Sequence, residues 1–227
     1  MKRFITIGLL SASLGISPAI GDLLTQVDTF DAGIQGWASG ANPVHVASGG
    51  AGDNGGFLQI SRPVSDPFHL AAYNNTQWTG NFLAAGISAI EMDLNALAGP
   101  SALNLRLVLW GNGGVWASQN LTPVANGWNH YSFGLTAADL VYVNDDINSP
   151  PGSGGGTGLL ADTLQKVTIF QIRHDYPTPT PPGYHPDHIS ATLGIDNVQA
   201  IPEPTSFAYL VVATGALLFT RARRNTR

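Results

Sequence analysis

The chain has 227 residues, and its 15 acidic side chains outnumber 10 basic ones for a formal net charge of −5. Six of the basic residues (Lys2, Arg3, Arg221, Arg223, Arg224 and Arg227) lie at the two ends, so residues 22–203 hold four basic residues against all fifteen acids, a formal charge of −11. Such a body repels a phosphate backbone, which excludes nucleic acid as a partner, and the absence of cysteine excludes disulfide staples.

In chain order, Lys2 and Arg3 precede the mostly apolar run from Phe4 to Ile16, and Ala19-Ile20-Gly21 supplies small residues. This is the pattern of an export leader over residues 1–21, cut by a signal peptidase between Gly21 and Asp22. The run is too short to span a bilayer by itself. Residues 22–200 then read as one all-β domain, and a stretch of about 180 residues can bury a core of its own. Leu103, Leu105, Leu107 and Leu109 alternate with Asn104, Arg106, Val108 and Trp110, the period of a half-buried strand. Phe57 to Ser61, Ile87 to Leu94, Asn129 to Leu135, Val167 to Arg173 and Ala191 to Ala200 are further expected strands. Turn-forming clusters separate them at Ser48 to Gly56, Gly111 to Gly114 and Asn148 to Gly158, and Thr136 to Leu140 is short enough for one helical turn. Many short strands with glycine, asparagine and proline punctuation predict a sandwich. Two long loops are expected at Asn144 to Gly158 and at the proline-rich Tyr176 to Pro186.

If one strand face lines a groove, the leucines of 103–109 point to the core, and Asn104, Arg106 and Trp110 point the other way. Gln171 and Arg173 play the same part on the 167–173 strand. Tyr73, Trp78, Trp110 and Trp116 are candidate platforms for sugar rings, since an aromatic face matches the apolar C–H face of a pyranose. A neighbouring arginine suits hydroxyls or a uronate carboxylate. The other reading is a packed, satisfied sandwich face, with the tryptophans filling the core.

Two catalytic patterns are incomplete. Glu91 and Asp93 share a strand face and resemble the first half of the Glu-x-Asp-x-x-Glu signature of jelly-roll β-glucanases, but the second glutamate is replaced by Ala96, with Leu97 beside it. A retaining glycosidase needs both carboxylates, so the pair reads as the solvent face of an edge strand. His174-Asp175 and His185-Pro186-Asp187-His188 hold metal-ligating types at short spacing. Prolines 177, 179, 181, 182 and 186 make that stretch an extended loop, which reads as solvated. No Gly-x-Ser-x-Gly, P-loop or His-Glu-x-x-His motif is present.

Phe30-Asp31-Ala32-Gly33 with Gly36-Trp37, Gly55-Gly56-Phe57-Leu58-Gln59-Ile60, and Gly194-Ile195-Asp196-Asn197-Val198 resemble the opening and closing strands of a carbohydrate-binding-module-type, galactose-binding-like jelly roll over about residues 25–200. That resemblance implies a structural calcium shared by Asp31, Asp53 and Asp196, in keeping with calcium's demand for hard oxygen ligands. The alternative is that Asp31 and Asp196 cap turns and Asp53 is a plain loop residue.

The chain ends in Pro202-Glu203-Pro204, an uncharged run over 205–220 and the basic tail Arg221, Arg223, Arg224 and Arg227. A helix over about 206–220, slightly short for a bilayer, is followed by arginines that stop translocation and stay cytoplasmic. The segment 201–227 resembles the PEP-CTERM sorting signal of Gram-negative bacteria. The resemblance implies transient anchoring in the inner membrane, processing by an exosortase near Pro202-Glu203-Pro204, and delivery to the cell surface or extracellular matrix beside exopolysaccharide. The expectation is a non-enzymatic cell-surface or biofilm-matrix protein that binds extracellular polysaccharide. The alternatives are a jelly-roll glycoside hydrolase or lyase, and a ligand-free matrix scaffold.

Overall fold

The computed structural model describes residues 21–39, 43–53, 55–63, 70–99, 102–143, 156–177 and 188–203. After a short helix α1 (Gly21–Thr25) come β1 (Val27–Asp28), β2 (Trp37–Ser39), β3 (Val44–Val46), β4 (Phe57–Arg62), β5 (Ala71–Asn74), β6 (Ile87–Ala98), β7 (Ala102–Gly111), β8 (Gly114–Ser118), β9 (Thr122–Ala125), β10 (Asn129–Gly134) and β11 (Leu140–Tyr142). A second helix, α2 (Leu160–Gln165), precedes β12 (Val167–His174) and β13 (Ala191–Pro202). The strands form two antiparallel sheets. Sheet A runs β10-β6-β13-β4-β3, with β1 also on β13; sheet B runs β11-β8-β7-β12-β5-β2, with β9 also on β7. The two face each other as a jelly-roll sandwich.

All six expected strands are present, and five of them run further than their alternation required. The strands not anticipated have two to five residues, too few to display a period. Helix α2 was not anticipated either: its N-cap is Leu159, which offers no side-chain cap. The expected leader up to residue 20, the loop stretches 144–155 and 178–187 with His185 and Asp187, and everything from Pro204 onward lie outside the described residues. Among the described residues, no helix is long and apolar enough to cross a membrane.

The core lies between the sheets. Leu103, Leu105, Leu107 and Leu109 of β7 and Phe170 and Ile172 of β12 are sealed in one apolar cluster with Ile90, Met92 and Leu94 of β6 and Leu193, Ile195 and Val198 of β13. Trp37 and Trp78 belong to the same cluster and flank Phe170, with ring centroids at 5.4 and 5.5 Å. Trp78 is therefore a core residue and not a sugar platform; its indole fills the end of the sandwich where the loop after β5 crosses.

That end is closed by one polar group. Asp28, fully buried on β1, accepts hydrogen bonds from the indole N–H of Trp37 and of Trp78, both at 2.6 Å to Oδ2. Gln77 Nε2 donates to the same oxygen at 3.2 Å, and Gln26 Nε2 donates to Oδ1. A buried carboxylate is tolerable only with such a set of donors. It ties sheet A, through β1, to β2 of sheet B. Asp28→Ala leaves two buried indole N–H groups without acceptors, at about 1–3 kcal/mol each, so it lowers unfolding stability by roughly 2–6 kcal/mol in urea titrations. Gln59→Ala, on the outer face of sheet A, shifts the same curve by less than ~0.5 kcal/mol.

Candidate functional site

The alternation of β7 turns Asn104, Arg106, Val108 and Trp110 away from the core, and cross-strand register extends that face. Gln171 lies between Tyr73 and Val108, Arg173 opposite Arg106, and Ile169 opposite Trp110. Six of the seven candidate ligand residues, Tyr73, Asn104, Arg106, Trp110, Gln171 and Arg173, thus share the outer face of sheet B. Trp116 does not. It pairs with Leu109, packs against the main core and meets Tyr142 edge-on at 5.5 Å. The β7–β8 register gives the outer side to Val115 and Ala117, and a one-residue offset reverses a side chain's face.

The two arginines are held, not extended. Arg106 is 3% exposed and Arg173 0%. Asp175 Oδ2 stands 3.3 Å from Arg106 Nε and accepts from Arg173 Nε at 3.1 Å and Nη2 at 3.0 Å. Arg106 Nη1 also donates to the carbonyls of Ser118 and Gln119. One carboxylate between two guanidinium groups forms a rigid platform; removing it would leave buried charge uncompensated, at about 3–5 kcal/mol. Asp175 is therefore engaged with arginine. His174 is buried and meets the Tyr176 ring edge-on at 5.0 Å. Tyr73, Asn104 and Gln171 are half-buried beside the platform, the buried Gln171 Oε1 has no hydrogen-bond partner, and the half-buried Trp110 packs on the apolar cluster of Val108, Val115, Ala117 and Val143.

A second locus forms where the glycine loop after β3 folds against β13. Asp196 Oδ2 accepts from the Ala51 N–H at 2.8 Å, and its Oδ1 from the Asn197 N–H at 2.8 Å. Asp31 Oδ1 accepts from the Gly56 N–H at 3.3 Å, and Thr29 Oγ1 donates to Oδ2 at 2.8 Å. Asp31 and Asp196, far apart in sequence, therefore meet at one loop. Asp53 ends a short 3-10 turn, Ala51–Asp53, in that loop. A methyl on Gly50 would stand 2.6 Å from Asp196 Oδ2, 2.6 Å from the Gly56 carbonyl and 3.3 Å from that of Gly55. Such a cradle of hard oxygens fits calcium chemistry. Among the described residues no group of three histidine or acidic side chains is placed to hold a metal ion by itself, so carbonyls would complete any coordination. Burial, with the charges of Asp93 and Asp31 behind it, pushes the Asp196 carboxyl up to about 6 against the opposing pull of its two backbone hydrogen bonds.

The third locus was only half visible in the sequence. Glu91 and Asp93 do share a face, but β6 is flanked by β10 and β13 and is not an edge strand. His130 of β10 lies across from them, Nε2 at 3.2 Å from Glu91 Oε2 and Nδ1 at 3.0 Å from Asp93 Oδ1. The Asp93 hydrogen bond raises the His130 pKa; partial burial opposes it, and Glu91 adds to the rise. Asn197 and Gln199 of β13 approach the same carboxylates. The readable signal was the alternation Trp128, His130, Ser132, which puts three polar or aromatic groups on one side of an expected strand.

No protein-family model matches the chain, and no curated protein matches it. Among solved structures, an exo-beta-agarase superposes with a TM-score of 0.52 at 12% identity, over 78% of this chain and 25% of that one. The chain thus spans a quarter of that protein's length. The CBM22-1 xylan-binding domain of Paenibacillus barcinonensis Xyn10C gives 0.46 at 10% identity, over 78% of this chain and 94% of that one. The C-terminal family 22 carbohydrate binding module of Clostridium thermocellum Xyn10B gives 0.45 at 10%, over 82% and 98%. At 12% identity the likeness to the exo-beta-agarase is one of fold alone.

The raised Asp196 pKa carries a sign. The folded state holds the proton more tightly than the unfolded chain, so this group's contribution is full below about pH 4 and is lost as pH rises through about 6. In metal-free protein, wild type therefore loses stability relative to Asp196→Asn between pH 4 and 7, measured by thermal melting. If the glycine loop holds calcium through Asp196, millimolar calcium at pH 7 should raise the wild-type melting temperature by several degrees and leave the variant unmoved.

Proposed function

We propose that this chain is an exported, non-enzymatic protein of the cell surface or biofilm matrix whose β-sandwich binds extracellular polysaccharide. The observation that carries this reading is the outer face of β5, β12 and β7. There the half-buried Tyr73, Asn104 and Gln171 flank the Arg106–Asp175–Arg173 platform, and Trp110 lies further along β7 against the apolar cluster of Val108, Val115, Ala117 and Val143. Sugar hydroxyls pair with amide and phenol groups, and an aromatic ring supplies the apolar face that a pyranose needs. The arginine platform keeps these groups in place, which lowers the ordering cost of binding.

The non-enzymatic part rests on the carboxylates. Glu91 and Asp93 both lie against His130, and no second acid stands at position 96 or 97. Calcium at the glycine loop, if held by Asp31, Asp196 and loop carbonyls, is a structural ion and not a reagent. The export part rests on the two ends of the sequence. In this reading signal peptidase removes residues 1–21. The segment 206–220 then holds the chain in the inner membrane, until an exosortase acts near Pro202-Glu203-Pro204 and delivers the body to the surface.

The full-length chain in a detergent without a sugar head group should be slowed in affinity gels containing extracellular polysaccharide. Trp110→Ala and Gln171→Ala should each weaken that retention about tenfold, ~1.4 kcal/mol. Unchanged migration of the wild type through every polysaccharide tried would refute the proposal.

A further inference from the structure

The outer face of sheet A carries groups that the reading above does not use. Trp128, just before β10, lies across Gly194 of β13: a methyl at Gly194 would stand 2.9 Å from its Cη2 and 3.3 Å from its Cζ2. The glycine is what lets the indole settle on the strand. Phe57 meets its ring edge-on at 5.3 Å, and its Nε1–H donates to the Gly49 carbonyl at 2.9 Å. Held on three sides, Trp128 remains only half-buried.

Two residues along, about 7 Å in strand geometry, begins a laced row of planar side chains. Gln199 donates to Glu91 at 3.4 Å, His130 bridges Glu91 and Asp93, and Asn197 donates to Asp93 at 2.7 Å. The row spans β13, β6 and β10. The His130 side chain is 53% exposed, with Glu91 and Asp93 at 25% and 18%. Asn197 reaches it through a register break between Asp196 and Gln199, with φ of 50° in the left-handed region. Such irregularities re-aim a side chain out of an otherwise regular strand.

We propose that this face is a second glycan-binding surface, built for uncharged sugar chains. The inference rests on the reading that the sandwich binds polysaccharide. Trp128 gives the stacking plane, and the free lone pairs of Glu91 and Asp93 accept a pair of sugar hydroxyls. Two carboxylates, Glu91 and Asp93, face a single imidazole, so the row stays acidic and a uronate or sulfate ester is repelled. Among the described residues, the cation that faces the row is His130 in its charged form. Both its ring nitrogens face carboxylates, and only an imidazolium donates to both. Glu91 and Asp93 on β6 and Asp196 on β13 are the titratable groups around it. Proton loss from His130 leaves one carboxylate unheld, so binding weakens as pH rises.

The test uses isotopically labelled full-length protein in the same kind of detergent, titrated with cello-, xylo- and agaro-hexaose and with hexagalacturonate. At least one neutral hexasaccharide should move the Trp128 indole N–H and His130 ring resonances, and hexagalacturonate should leave them still. Glu91→Gln, a change at a partly exposed group, and Trp128→Ala should each weaken the response about tenfold, and raising the pH from 6 to 8.5 should weaken it in the wild type. Neutral sugars that move only Tyr73 and Trp110, or a uronate that moves Trp128 equally, would overturn the inference and leave polysaccharide binding intact. Resonances unmoved by any glycan would remove both.

Discussion

The sandwich depends on a buried carboxylate. Asp28 sits on the shortest strand of sheet A and receives the indoles of Trp37, from sheet B, and Trp78, from the loop between β5 and β6. Those two rings enclose Phe170, so the same contact that satisfies a charge also positions the aromatic end of the core. A buried acceptor so placed favours the one packing in which both indole N–H groups reach it. The closed end in turn fixes where β1 leaves β13 and where the chain enters Phe30 and Asp31, beside the glycine loop.

From that frame the two outer faces acquire opposite characters. On sheet B two arginines converge on Asp175 beneath half-buried aromatic and amide groups. On sheet A two carboxylates converge on His130 beside a single indole. Each pairing leaves its face rigid, because the charged groups are already engaged within the fold and do not reorganise when a ligand arrives. The glycine loop stands beside sheet A, tied to it by Asp196 and by the Trp128 indole, so any ion that tightens the loop also steadies the Trp128 platform.

Much of this was legible in the residues. The leucine alternation over 103–109 set the inner face of β7 and thereby the outward position of Asn104, Arg106 and Trp110. Asp31, Asp53 and Asp196 were grouped by resemblance as calcium ligands; the structure sets Asp31 and Asp196 against the same glycine loop. What the chain alone did not reveal depends on strand neighbours. Trp116 faces inward because β8 pairs with β7 in one register and not the next. The arginines are buried because Asp175, just beyond β12, folds back on both. The link from Glu91 and Asp93 to His130 exists only because β10 is the strand beside β6. Side-chain period is local; partner choice between strands is not.

The central claim is that this body holds polysaccharide without cleaving it. The most direct test incubates the full-length chain with extracellular polysaccharides and follows two quantities together: protein retained on the polymer, and new reducing or unsaturated ends. The account predicts retention with no new ends above a protein-free control. New ends that accumulate with time and vanish in Glu91→Gln would contradict it and make the chain an enzyme.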